Sequence, residues 1–507
     1  MPGHHEQLYD DVCRHAVRTA MLESIQSVLE WDERTKLPPA GAEHRAEQIT
    51  LLAGMIHRRW TERPFVDRLA ELAAGPLAEP PDADAAVNVR RLKRRVDRKV
   101  RLPETLVEDL ARAAVLGQQA WQRARREDDF ATFRPLLEKT VELKRREAEA
   151  VGYEDCAYDA LLDEYEPEAH SAEVAEVLAG LRAELVPLVA EIRQSGREPD
   201  RSILSRRFPV AGQEAFGVEA ARAIGFDFDR GRLDVTAHPF CAGLGPRDCR
   251  ITTRYEEHYL NGALFGILHE AGHGIYDQGL PGEWFGLPLG WAMSHGIHES
   301  QSRMWENFVG RSRAFWEHFF PRAQEHFPDA LNDVSLDQFY FAVNDVRPSL
   351  IRVEADEATY NLHILVRFEL EQALLDGDLP VAELPGAWNE KYREYLGIEP
   401  ETDAEGVLQD VHWSGGSIGY FPTYSLGNLY AAQFFATADG ELGGLDGPHA
   451  CGDFRPLREW LREKIHRQGQ RYSAAELACR VTGRPLEPGP LLVHLRAKLG
   501  PLYGLDA

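Results

Sequence analysis

No stretch of this chain approaches the eighteen or so consecutive apolar residues that a membrane span requires. The start, Met1-Pro2-Gly3-His4-His5-Glu6, lacks a basic segment followed by an apolar one, so no secretory leader is read there and the protein is expected to be cytoplasmic. Cysteine is scarce. Six residues (Cys13, Cys156, Cys241, Cys249, Cys451, Cys479) lie scattered through 507 with no CxxC pair, which suits reduced thiols better than a disulfide framework. Cys241 and Cys249 fall close to segments that carry chemistry, and small buried thiols are the expectation for both. Positive charge is also in short supply: 57 Lys and Arg against 82 Asp and Glu give a formal charge of −25. Such a field repels phosphate, which excludes non-specific nucleic-acid binding and attachment to an anionic membrane. Internal repeats, low-complexity tracts and alternating β-branched runs are missing or few.

What fills the chain is helix-forming residues. Leu, Ala, Glu and Arg dominate most windows, predicting a mostly α-helical protein with a small β element. No shift of composition forces a cut, so residues 1–507 are read as one large domain, with 1–195 a helical N-terminal part and 196–507 carrying the chemistry. In the first part Leu8, Val12 and Ala16, then Leu22, Ile25 and Leu29, recur at helical spacing. Residues 90–101 hold eight Lys and Arg, yet Val89, Leu92, Val96 and Val100 mark an apolar stripe through them. That pattern predicts a solvated basic face on a packed helix rather than a nucleic-acid patch.

The stretch that organises the chain is His269-Glu270-Ala271-Gly272-His273, an HExxH signature preceded by the apolar run Ala263 to Leu268. On a helix, side chains four residues apart project from one face about one turn apart, so His269 and His273 can grip one metal ion. Zn²⁺ lowers the pKa of a water to about 7, and Glu270 beside it can take the proton as the water attacks a carbonyl. Chance also produces HExxH in chains rich in His and Glu, so the context decides. A further protein ligand is required, and the region Gln278 to Gly290 is dense in helix breakers, which predicts a loop and then a second helix. Glu299, His298 and His295 on that helix are candidates for the third ligand. Glu299 is preferred, giving a His₂Glu set with one position open.

Other segments flank this one. Arg232 to Thr236 reads as a short strand, and Ile251 to Tyr255 as an extended segment able to hydrogen-bond a peptide backbone. Asp248 and Arg250 either meet substrate or pair with each other. Gly406 to Trp413, leading into Ser414 to Tyr424, mixes polar, aromatic and glycine residues at a density that suits a loop-built binding wall with Gln409 among its contacts.

Six motifs stand in order along nearly the whole chain. They are HPF at His238 to Phe240, DxRxT at Asp248 to Thr252, HExxH, His298-Glu299-Ser300-Gln301, IRxxAD at Ile351 to Asp356, and GxxQDxHW at Gly406 to Trp413. With these motifs the sequence resembles the M32 family of metallocarboxypeptidases, the carboxypeptidase Taq family, and shows no departure within them. The resemblance implies a helical fold of gluzincin type with a deep substrate groove, a homodimer, and release of single residues from peptides with a free C-terminus, at broad preference. It also supports Glu299 as the third ligand. A weaker likeness to angiotensin-converting-enzyme-like peptidases implies that His238, His412 and Tyr420 contact the peptide backbone or the developing oxyanion. A terminal carboxylate calls for a guanidinium, and Arg352 is the candidate, unless it only pairs with Glu354 or Asp356. One divalent ion per chain is expected, Zn²⁺ first, with Co²⁺ or Mn²⁺ able to occupy the same ligands. A thimet-like endopeptidase or dipeptidyl carboxypeptidase would use the same metal site and is the alternative.

Overall fold

The first helix, His4–Thr35, shows how far apolar periodicity carries. Leu8, Val12 and Ala16 are buried as the spacing predicts, but Ile25 is 51% exposed, as is Met21 at 55%. The helix is 32 residues long and its middle outruns the core that its first half lines; burial resumes at Trp31. The computed structural model describes residues 3–505. Helices dominate it, with a three-stranded sheet as the only β element among the described residues, as composition predicts.

The chain divides into two compact units. One takes in the chain up to Val100, Asp200–Val343 and Phe434–Gly483, and the other Arg101–Pro199, Asn344–Gln433 and the chain from Arg484 on. In the first unit Val12, Ala16, Trp60, Phe65, Leu69 and Leu92 form a core in which the first helix meets helices Ala42–Thr61, Arg63–Ala73 and Asp84–Arg101. The basic segment lies on the last of these. Val89, Leu92 and Val96 point into the core while Val100 is half exposed. Its cations are largely spent inside the protein: Arg91 donates to the Gln470 carbonyl at 3.0 Å, and Arg95 pairs with Glu23 at 2.7 Å between the rings of Trp60 and Trp291.

The sheet also belongs to the first unit. Strand β1 is Gly231–Val235, β2 Cys241–Gly245 and β3 Asp248–Thr253; β1 lies one residue from the strand read at 232–236, while β3 begins three residues before and ends two before the extended segment read at 251–255. The order is β1-β3-β2, with β1 parallel and β2 antiparallel to the central β3. Ile251, Thr252 and Thr253 on β3 are fully buried, and the chain then turns into the helix Leu260–Gly279, which carries HExxH. That helix is apolar on most sides (Leu264, Phe265, Ile267, Leu268, Ala271, Ile275), the pattern of a helix enclosed by its own unit.

In the second unit the helix Tyr360–Asp376 is buried along almost its whole length, polar residues included: Asn361, His363, Arg367 and Glu371 are all 0% exposed. Such groups persist in a core only when hydrogen-bonded. Glu371 accepts from the Tyr158 hydroxyl (2.7 Å), the Trp413 indole (2.8 Å) and the Gly419 backbone (3.1 Å), which pins the loop read as a binding wall.

Candidate metal centre

The breakers between Gln278 and Gly290 do what the sequence predicts: the HExxH helix ends at Gly279, two short 3₁₀ turns follow, and a new helix runs His295–Arg303. Ser294 caps it, its hydroxyl accepting from the Ile297 amide at 3.1 Å. Gly272, inside HExxH, explains how close the two helices come. A Cβ there would stand 2.6 Å from the Gln301 carbonyl oxygen, so only glycine lets the second helix lie against the first. The second helix continues as a π-helical turn, Met304–Val309, marked by the bond from the Gly310 amide to the Trp305 carbonyl.

This crossing brings His269, His273 and Glu299 together, with one donor atom of each within 4.8 Å of the others. Glu299 Oε2 stands 3.3 Å from His273 Nε2 and 3.7 Å from His269 Nε2. Tetrahedral zinc with bonds near 2.0–2.1 Å would separate its ligand atoms by about 3.4 Å, so the spacing suits one small divalent ion. The other ring nitrogens are occupied. His269 Nδ1 donates to Glu306 Oε2 at 2.9 Å. His298 Nε2 donates to Asp277 Oδ1 at 3.0 Å, leaving its Nδ1 to accept from His273 Nδ1 at 2.5 Å. Both ligand candidates are thereby held in the tautomer whose Nε2 lone pair faces Glu299. His298 therefore stands behind His273, and His295 lies exposed at the start of its helix; of the three candidates for third ligand, Glu299 is the one in the cluster.

The electrostatics favour a cation. Burial opposes the charge on His269, but Glu299, Glu306 and Glu270 outweigh it and raise the imidazole to about 9. Burial lowers His273 to about 4, against its hydrogen bond to Glu299 and with His298 and His269 adding to the effect. Burial pushes Glu299 up as well, yet Arg303, bonded to its Oε1 at 2.7 Å, and the two imidazoles bring it well below the usual carboxylate range. Glu306 falls to about 2 under Arg303, His269 and Arg311 despite burial. Glu270 is the exception: 7% exposed, it is pushed up to about 7 chiefly by burial. Orienting carboxylates of the Glu306 kind typically change metal affinity by about 10–100-fold, and that loss is expected for Glu306→Gln. Competition with a chromophoric chelator measures it, and unchanged affinity would remove Glu306 from the site.

The second unit holds a separate polar cluster. Arg352, 6% exposed, pairs with neither Glu354 nor Asp356. Its Nε and Nη2 both donate to Asp410 Oδ1, at 3.0 and 2.8 Å, and its Nη1 donates to the Tyr360 hydroxyl. Arg367 Nε meets the other oxygen of Asp410 at 2.5 Å. Gln409 is buried and committed: its carbonyl accepts from the Arg352 amide and from Arg367, and its NH₂ donates to the carbonyls of Leu350 and Glu405. His412 Nε2 lies 3.3 Å from the Tyr424 hydroxyl, and the Tyr420 ring packs edge-on against Tyr165. In the first unit Asp248 and Arg250 pair with each other through two bonds of 2.9 Å, with the guanidinium over Trp31, and His238 is exposed.

Sequence reasoning passed over Asp277, Glu306, Arg303, Asp410 and Arg367. Asp277 had a signal, standing four residues after His273 and so one turn further along the same face. The partner of Arg352 is 58 residues away and had none.

A closed structural zinc site takes four protein ligands and has no use for a buried glutamate next to them; three ligands with such a glutamate define a metallopeptidase of the HExxH class. A family profile described as carboxypeptidase Taq (M32) metallopeptidase matches residues 11–499. Thermostable carboxypeptidase 1 of Thermus thermophilus is 48% identical, over 98% of this chain and 99% of its own. Carboxypeptidase 1 of Bacillus subtilis is 40% identical, over 94% and 95%. The crystal structure of M32 carboxypeptidase from Deinococcus radiodurans R1 superposes with a TM-score of 0.95 at 41% identity, covering 98% of this chain and all of the other. The chain belongs to the carboxypeptidase Taq (M32) family of metallopeptidases.

Proposed function

We propose that the chain is a metal-dependent carboxypeptidase that releases single amino acids from peptides with a free C-terminus, at broad preference. The observation that carries this reading is the convergence of His269, His273 and Glu299 beside buried Glu270, in a chain nearly half identical to a named carboxypeptidase over its full length. His269, His273 and Glu299 would hold one divalent ion; an N₂O donor set with an open position suits Zn²⁺ first and Co²⁺ or Mn²⁺ next. Bound there, the ion supplies Lewis acidity to a carbonyl and a water.

Glu270 serves as general base, taking a proton from the attacking water and passing it to the leaving amine; burial places its pKa near the working pH, where such a base is most effective. Glu306, Asp277 and His298 hold the two imidazoles in the tautomers this needs. Tyr420 and His412 are proposed as donors to the oxyanion, and His238, Asp248, Arg250 and Gln409 as contacts that orient the peptide. Arg352 is proposed as the carboxylate anchor. Two guanidiniums share the single charge of Asp410, so a positive charge is left over for a substrate anion.

The profile match across residues 11–499 supports treating 1–507 as one peptidase domain. We further propose a homodimer in the cytoplasm. Exposed apolar side chains on the first two helices, Met21, Ile25, Leu51 and Met55, support an interface, and six unpaired thiols support a reducing compartment. No helix among the described residues is long and apolar enough to cross a membrane.

A short peptide with a free C-terminus and its amidated twin test the reading. Release of the terminal residue is expected from the first, lost with chelator, restored by Zn²⁺ or Co²⁺, and abolished by amidation. Internal cleavage of both peptides would instead make the chain an endopeptidase.

A further inference from the structure

Cys241 and Cys249 lie on neighbouring antiparallel strands. The register pairs Cys241 with Ile251 and Gly243 with Cys249, so the two cysteines are diagonal neighbours on one face of the sheet. Their Sγ atoms are 3.6 Å apart. Asp277, on the HExxH helix, places Oδ2 3.9 Å from Cys249 Sγ, and one donor atom from each of the three residues lies within 4.8 Å of the others. We propose that Cys241, Cys249 and Asp277 form a second metal site, for a thiophilic divalent cation of the Zn²⁺ or Co²⁺ type.

The distances carry the assignment. Two zinc–sulfur bonds of about 2.3 Å at the tetrahedral angle set their sulfurs about 3.8 Å apart, and a sulfur and a carboxylate oxygen on the same ion about 3.6 Å. The observed 3.6 Å between the sulfurs and 3.9 Å from Cys249 Sγ to Asp277 Oδ2 come within about 0.3 Å of these, and the remaining pair lies within 4.8 Å. A disulfide fits less well, because diagonal strand neighbours sit with Cα atoms about 7–8 Å apart, beyond the usual reach of about 6.8 Å. Asp277 is aimed from outside the cluster: its Oδ1 accepts from His298, which leaves Oδ2 turned to the thiols, the arrangement by which second partners orient a metal-binding carboxylate. Room for that carboxylate comes from Gly243, where a Cβ would stand 2.7 Å from Asp277 Oδ2.

A cavity of about 980 Å³ within the first unit reaches the cluster from the side of Asp277, with Gly243 and Leu244 also in its wall, and Cys241 is only partly buried. The hydrogen bond with Cys249, then burial, raises the Cys241 thiol; at Cys249 the bond with Cys241 lowers the thiol and burial, with Asp277, raises it on balance, so each releases its proton to solvent as it binds the ion. The site shares no ligand with the His269, His273 and Glu299 set, yet Asp277 and His298 join it to His273 through two hydrogen bonds.

The test is a Co²⁺ titration of the metal-free, full-length chain under a phosphine reductant, read by bound metal and by absorption. Two equivalents per chain are expected, one of them bringing the near-ultraviolet sulfur-to-cobalt charge-transfer absorption that a His₂Glu set cannot give. Cys241→Ser is expected to lose that absorption and one equivalent, and Glu299→Gln to keep the absorption. The native titration decides by itself should a variant not fold. One equivalent without the absorption overturns the proposal, and so does an absorption that survives in Cys241→Ser.

Discussion

Glu270→Gln is expected to bind metal with native stoichiometry and to lose about 10²–10⁴-fold in turnover, the usual contribution of a positioned general base. Gln has the size and shape of Glu, so the donors of His269, His273 and Glu299 keep their places; what disappears is the proton acceptor. The expectation differs in kind from that for Glu306→Gln, where metal affinity falls because His269 loses its orienting partner. Stability provides a further check. Burying a carboxylate costs more than burying an amide, so Glu270→Gln should unfold at the same or a higher temperature. Near-native turnover with metal bound would take the base role from Glu270.

The second large effect concerns folding. Asp410 is the single carboxylate between Arg352 and Arg367, all three buried, and the two guanidiniums hold it well below the usual carboxylate range. Asp410→Asn keeps the volume but leaves two cations in a low-dielectric interior without a counter-charge, which typically costs about 3–5 kcal/mol. The midpoint of urea unfolding should fall accordingly. Adding Arg367→Met should recover part of the loss, because it removes one of the stranded charges together with its burial penalty. A midpoint unchanged in Asp410→Asn would mean that water reaches the cluster and screens it.

How much of this was readable in the sequence depends on how local the cause is. His269 and His273 are placed by one helical turn and the second helix by breakers that force a return, so these could be read from spacing and composition, whereas the choice of Glu299 over His298 and His295 leaned on the family resemblance. β1 was found to within a residue because a short β-branched run flanked by turn residues is local as well, whereas β3 starts three residues before the segment read as extended and β2, with two glycines in five residues, gave no signal. Ile25 fits the helical period and is nonetheless exposed, because periodicity gives the face of a helix and not how far along it the core extends. The partners of Arg352 and His269 were beyond reach for two reasons. Asp410 meets Arg352 only through tertiary folding, which leaves nearby Glu354 and Asp356 looking like better partners on paper. Glu306 lies beyond a change of helical type that no residue pattern announces.

That change of type bears on how the protein could be altered. A π turn amounts to one residue more than an α-helix needs, and such turns are frequent at functional sites. Deleting a residue at Met304 or Trp305 would let the helix run on unbroken, and every side chain beyond the cut would swing by about 100°. Glu306 would no longer point at His269. The extra residue is thus what keeps Glu306 aimed at His269, and a chain shortened there would grip its metal less firmly.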